Sequence, residues 1–256
     1  MRLKLGLLGI GKIARDQHVP ALMTSSQFEL VACASRNASV DGVANFSDLE
    51  TMLARAPQLD CVSICTPPQA HFAAALAALR AGKHVMLEKP PTATTRQIAL
   101  LADEAARRGR TLFQTWHSRF AASVDAAREW VRGRTLTGGR ITWQQAPIAA
   151  NLRMRTEDGV SVNAEFDFRQ KGEQSWDIEL FTTTGRLKLS QGGAALELDD
   201  QVISADRGLA GEYPRLYARF AALCTEAKSE VDWRPFQLVA DAFLIGERRV
   251  VAPHHV

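Results

Sequence analysis

Leu3-Lys4-Leu5-Gly6-Leu7-Leu8-Gly9-Ile10-Gly11-Lys12-Ile13-Ala14 carries more structural information than any other stretch of this chain. A short apolar run leads into two glycines one residue apart, and these lead into residues of helical composition. A strand that turns so sharply into a helix needs one glycine for the turn itself. It needs a second where backbone approaches a ligand, and a small residue where helix and sheet pack closest. Gly9, Gly11 and Ala14 answer those needs in order. The first helical turn then offers unpaired N–H groups, the local chemistry that receives a phosphate. Gly9, Ile10, Gly11, Lys12 and Ile13 are therefore candidate contacts to the pyrophosphate of a dinucleotide.

Outward from that turn the same grammar repeats. Further strand-like runs are expected at residues 29–34, 61–66, 84–87 and 111–115. They alternate with helical stretches at 12–23, 46–54, 68–81 and 94–107, with Gly82 and Gly109 as stops. Alternation of this kind predicts a doubly wound parallel sheet of the Rossmann type. Beyond Trp130 the texture changes to runs at 140–144, 148–155, 161–168, 175–183, 186–190 and 195–198, with turn signals at Asp158-Gly159 and Thr184-Gly185. Two late helices, 213–227 and 235–248, close the chain. The expected fold is α/β: a dinucleotide-binding domain over residues 1–118, then an α+β domain over 119–256 with a mostly antiparallel open sheet.

Composition narrows the function. The chain has 256 residues, of which 46% are hydrophobic, enough for packed cores. Lys and Arg exceed Asp and Glu by only three, too little for a nucleic-acid-binding stripe. Neither a signal peptide nor a membrane-spanning run is read, so a cytoplasmic protein is expected. Cys61 and Cys65 would lie on one strand face about 13 Å apart and cannot pair. With Cys33 and Cys224 they are expected as buried free thiols. The histidines and cysteines show no metal-ligand spacing, and no metal is expected.

Cofactor preference is read at the end of the second strand. An NAD-selective site would place a carboxylate there, but the residues are Ala34-Ser35-Arg36-Asn37. Ser35 can hydrogen-bond a ribose, and Arg36 can pair with a 2′-phosphate. NADP or NAD is the expected cofactor, with NADP accepted. Lys89, in Glu88-Lys89-Pro90-Pro91, stands at a strand exit and is confined to extended backbone by the following proline. An ammonium there would stabilise alkoxide character on a carbinol oxygen as hydride leaves the carbon. Lys89 is the candidate catalytic residue.

The segments Thr66-Pro67-Pro68, His71 and Ala81-Gly82-Lys83-His84-Val85 through Glu88-Lys89-Pro90 resemble the Gfo/Idh/MocA oxidoreductase family. The likeness is strongest to its L-arabinose/D-galactose 1-dehydrogenase branch, and covers Gly9 to Trp143 almost without interruption. It implies that Thr66, Pro67, Pro68, His71, Glu88 and Lys89 face the cofactor, and that Trp116 and His117 of Trp116-His117-Ser118-Arg119 hold a sugar. A tryptophan packs on a sugar's C–H face, and an imidazole hydrogen-bonds its hydroxyls. The resemblance resumes at Ala146-Pro147-Ile148 and runs through Glu212-Tyr213-Pro214 to Leu238-Val239-Ala240-Asp241.

Between Trp143 and Ala146 the family carries on the order of fifty further residues, more than loop variation explains. That segment holds the family's catalytic carboxylate, and no residue here takes its place by alignment. Omission of the segment from this sequence and a true deletion are both open. The implied reaction is NAD(P)-dependent oxidation of an aldopyranose C1 hydroxyl, of galactose or arabinose type, to the lactone. The alternatives are a non-catalytic NAD(P)-binding regulator and a reductase of another carbonyl or imine. A homodimer is expected through the second sheet, whose strands carry Phe166, Phe168 and Trp176.

Overall fold

The structure is a computed structural model and describes residues 2–144, 149–167, 173–205 and 211–247. The chain forms two compact units, Met1–Trp116 with Tyr213–Phe243, and His117–Glu212 with Leu244–Val256.

In the first unit β1 (Leu3–Leu8) runs into the glycine turn. A turn of π-helix (Ala14–His18) then continues as α1 (Val19–Met23), where one uninterrupted α-helix was expected. There follow β2 (Phe28–Ala34), β3 (Ala44–Phe46), α2 (Leu49–Arg55), β4 (Cys61–Ile64), α3 (Pro68–Arg80), β5 (His84–Leu87), α4 (Thr95–Arg108) and β6 (Leu112–Gln114). The strands form a sheet of order β3-β2-β1-β4-β5-β6, every neighbouring pair parallel. That is the doubly wound order, with the direction of winding reversing between β1 and β4. Strands β4 and β5 are buried at every position, as a sheet covered on both faces requires. Val62, Ile64, Val85 and Leu87 pack with Ala75, Ala78 and Leu79 of α3 and with Ile98, Leu101 and Ala105 of α4.

In the second unit α5 (Val124–Val131) precedes β7 (Leu136–Gln144), β8 (Ala150–Arg155), β9 (Ser161–Asp167), β10 (Trp176–Thr182), β11 (Gly185–Ser190), β12 (Ala195–Leu198) and β13 (Gln201–Ala205). The sheet order is β13-β12-β11-β10-β7-β9-β8, antiparallel except for the parallel pair β7 and β9. The exception arises because the β8–β9 hairpin docks through its second strand, which then runs alongside β7 in the same direction. Gly159, at φ +82°, closes that hairpin. On one face, Ala127 of α5 packs on Leu187, Leu189 and Leu196.

Trp176 and Phe166 are half-buried. Trp143 stacks on Trp176 at 4.6 Å between centroids, with Phe166 edge-on to Trp143 at 6.2 Å. A Cβ at Gly192 would stand 2.8 Å from the Trp176 ring, so the indole is backed by bare backbone. Among the described residues, the exposed large apolar side chains of this sheet are Val202 and Ile203 on β13. Phe168 and residues 145–148, at the junction where the family segment is lacking, lie outside the described residues.

The chain ends with α6 (Glu212–Glu226) and α7 (Arg234–Ile245). From Tyr213 onward α6 belongs to the first unit, where Phe28 and Phe113 stack on Phe220 at 5.5 and 6.0 Å. The four cysteines are unpaired, three of them buried and Cys65 half-buried. Cys61 and Cys224 approach to 3.9 Å between sulfurs, and the Cys61 thiol is pushed up by its bond to Cys224 and by burial. Among the described residues no helix is long and apolar enough to cross a membrane, and no group of His, Cys, Asp and Glu could hold a metal ion.

Candidate active site

The candidate residues of the first unit sit where three adjacent strands end at one level. Leu8 of β1 is in register with Ile64 of β4, and Ile64 with Leu87 of β5. The chain therefore leaves the sheet side by side at Gly9, Cys65 and Glu88. Cys65 N–H donates to Leu8 O at 2.8 Å, and Glu88 N–H to Ile64 O at 3.1 Å. This row lies at the carboxyl ends on either side of the switch between β1 and β4, where doubly wound sheets bind ligands.

Gly9 has φ +89°, and a Cβ there would lie 2.9 Å from Thr66 N and 3.0 Å from the Cys65 carbonyl carbon. The two loops touch through bare backbone. At Gly11 a Cβ would meet nothing within 4 Å. Its glycine therefore leaves room above the helix start, and a pyrophosphate fits such a cradle. Ile10 is buried, whereas Lys12 and Ile13 are exposed, with Lys12 paired to Asp16. At the end of β2 Ser35 N–H donates to Phe46 O at 2.9 Å, and Arg36 is exposed.

Thr66 is half-buried, and its Oγ1 is buried without a hydrogen-bond partner. Pro67 is exposed, and Pro68 begins α3. His71 and Glu88 were expected against the cofactor, but each is buried and turned to protein partners. The His71 ring lies between two loops, with Nε2 2.5 Å from Thr66 O and Nδ1 3.0 Å from Pro90 O. The Lys89–Pro90 bond is cis, and Lys89 is exposed immediately beyond β5. Its backbone N–H donates to Glu88 Oε2 at 2.9 Å.

Glu88 Oε1 also accepts from Tyr213 Oη at 3.1 Å and from His18 Nε2 at 3.2 Å. His18 Nδ1 lies 2.8 Å from Tyr217 Oη, and burial pushes the Tyr217 phenol well up, so that it keeps its hydrogen for that bond. Burial, with the Glu88 charge behind it, pushes the Cys65 thiol up in the same way. No fixed spacing announces this cluster. His18, Glu88 and the two tyrosines come from well-separated parts of the chain.

Trp116 is half-buried, and its indole N–H donates to Asp232 O at 2.8 Å. In the second unit, His117 Nδ1 lies 2.7 Å from Oε2 of the buried Glu212. Sequence reasoning missed Glu212. A carboxylate on one ring nitrogen fixes the orientation of an imidazole, the arrangement by which a histidine is set to meet a polar ligand.

A glycine turn at the switch of a doubly wound sheet, with a lysine two strands away at the same level, defines a dinucleotide-binding oxidoreductase. A family model described as an oxidoreductase family with an NAD-binding Rossmann fold matches residues 3–115. Galactose 1-dehydrogenase from Pseudomonas fluorescens is 33% identical, the alignment covering 96% of this chain and 96% of the relative. The chain belongs to the Gfo/Idh/MocA oxidoreductase family.

The crystal structure of D-galactose-1-dehydrogenase from Rhizobium etli superposes with a TM-score of 0.92 at 37% identity, covering 99% of this chain and 98% of that one. A 3-ketoreductase from Actinomadura kijaniata, solved with NADP, shares the fold at a TM-score of 0.79 and 18% identity, covering 94% of this chain and 96% of that one. The alignment to the Pseudomonas enzyme runs over 302 residues, more than this chain possesses, so part of that relative faces a gap here.

Proposed function

We propose that the protein oxidises the C1 hydroxyl of an aldopyranose, of galactose or arabinose type, to the lactone. NADP⁺ or NAD⁺, when bound, supplies the acceptor for the C1 hydride. Residues up to about 118 bind the dinucleotide and those from 119 supply the sugar side. Gly9, Ile10, Gly11, Lys12 and Ile13 would hold the pyrophosphate, with Ser35 and Arg36 at the adenosine ribose and Thr66, Pro67 and Pro68 lining the nicotinamide side. His71 and Glu88 stand behind that surface. The Lys89 ammonium holds the C1 oxygen and stabilises the charge that gathers on it. Trp116 and His117 hold the sugar, and Glu212 sets the His117 ring. The proton of the C1 hydroxyl passes to solvent, to which Lys89 is open. The protein would work in the cytoplasm as a homodimer formed through its second sheet.

The observation that carries this reading is an exposed Lys89 two strands from the Gly9 crest at the same level of the sheet, in a chain similar over nearly its whole length to a galactose 1-dehydrogenase. A panel of aldoses with each cofactor tests it. Reduced cofactor should form with galactose, arabinose or a close epimer, and none with any sugar would refute the proposal. The gap favours a second reading, a cofactor-binding protein that has lost its catalytic carboxylate. That reading predicts dinucleotide binding without turnover of any aldose. A reductase of another carbonyl or imine would turn over such substrates in place of sugars.

A further inference from the structure

Glu88 is 5% exposed, next to a lysine that is open to solvent. A carboxylate removed from water is costly unless donors surround it, and here three converge: the Tyr213 hydroxyl, His18 Nε2–H and the Lys89 backbone N–H. Two of these come from outside the strand. His18 ends the π-turn that follows the glycine crest, and Tyr213 opens the part of α6 that returns to the first unit. His18 is itself fixed from behind, by the Tyr217 phenol on Nδ1 and by the Tyr213 ring edge-on at 4.7 Å. Tyr217 Oη also lies 3.4 Å from Ser63 Oγ on β4, whose hydroxyl can donate to it. His18, Tyr213, Tyr217 and Ser63 are each no more than 1% exposed.

The cluster has a direction. One carboxylate oxygen is held by the buried histidine and tyrosine, while the other holds the amide through which the chain enters Lys89. With Oε1 fixed, Oε2 fixes where the backbone of residue 89 leaves β5, and hence where its side chain starts. We propose that Glu88 is a positioning residue for Lys89, kept in place by Tyr213 and His18, and that α6 returns to the first unit to complete this support. The inference rests on the reading of Lys89 as the group that holds the substrate oxygen.

The test uses the full chain, with Glu88→Gln and Tyr213→Phe made singly and again in a Lys89→Ala background. Tyr213→Phe removes one donor and keeps the ring, so it guards against a Glu88 variant that does not fold. Expected losses in kcat are about thirtyfold for Glu88→Gln and about fivefold for Tyr213→Phe, with NADP affinity within about twofold of the parent. In the Lys89→Ala background neither change should lower the residual rate by more than about twofold, because residues that act through one group are not additive. Losses that multiply, or that track cofactor affinity, would mean a general structural role and overturn the inference. Hydrogen exchange of the Lys89 amide needs no substrate: about tenfold faster exchange in both single variants is expected, and unchanged exchange refutes the proposal. An unmodified protein that oxidises no aldose would defeat the functional reading alone, since the exchange result still judges the positioning of Lys89.

Discussion

Gly9 and Gly11 stand one residue apart in the same turn and are glycine for different reasons. At Gly9 the backbone is left-handed and a side chain would strike Thr66 N, so Gly9→Ala should cost stability, about 1–3 kcal/mol, and show as a lowered Tm. At Gly11 the space is open, so Gly11→Ala should leave Tm within a degree or two while weakening NADP binding at least about tenfold. A titration of both variants decides: equal Tm losses would mean that Gly11 serves the fold and not a ligand. Arg36 is exposed just beyond β2, and its proposed partner is the 2′-phosphate of NADP. Arg36→Ala should raise KM for NADP severalfold and leave KM for NAD nearly unchanged, and parallel changes in both would remove its 2′-phosphate role.

Helix α2 offers a prediction in pH. Asp48 caps it, accepting from Thr51 N–H at 2.8 Å, and bonds from the Ser47 hydroxyl and from Thr51 lower its pKa. A carboxyl whose folded value is depressed stabilises above its unfolded value and loses that contribution as pH falls through the folded one. Asp48→Ala should therefore lower Tm at pH 7, and the difference should vanish in acid below the depressed value. A Tm difference that survives there would show that the cap does not act through the charged carboxylate.

Legibility at this scale followed composition. The fully buried strands β4 and β5 and the alanine-rich α3 announce themselves, and so do Gly9 and Gly11 after β1 and Lys89 after β5. The three-residue β3 is too short for a period to register, and Phe46, read as helical, belongs to it. α5 is only eight residues long, so its stripe of Val124, Ala127, Trp130 and Val131 spans barely two turns and does not register as a helix. Strand β13 shows no buried position to mark an inward face. The parallel pairing of β7 with β9 cannot be read locally, because alternation is the same for either direction. The partners of Glu88 and His117 were equally hidden. His18 and Glu88 are 70 positions apart and His117 and Glu212 are 95, distances that only the fold closes.

Across the whole molecule, a single cut after the last parallel strand was the natural linear reading, but α6 rejoins the first unit from Tyr213. Aromatic stacking on Phe220 and the hydrogen bond from Tyr213 to Glu88 explain the return, and neither leaves a trace in local composition. If the second sheet forms a dimer, sedimentation should give twice the 28.1 kDa chain mass. Placing lysines at Val202 and Ile203 on its exposed edge strand should then give monomers, whereas a monomeric parent would remove the proposal.

The proposed reaction passes hydride from a sugar's anomeric carbon to a dinucleotide at the glycine crest. Galactose deuterated at C1 tests that step directly. The reduced cofactor should carry the deuterium, and its formation should slow relative to the unlabelled sugar wherever hydride transfer limits the rate. Reduced cofactor without label, or binding of cofactor with no reduction, would contradict it.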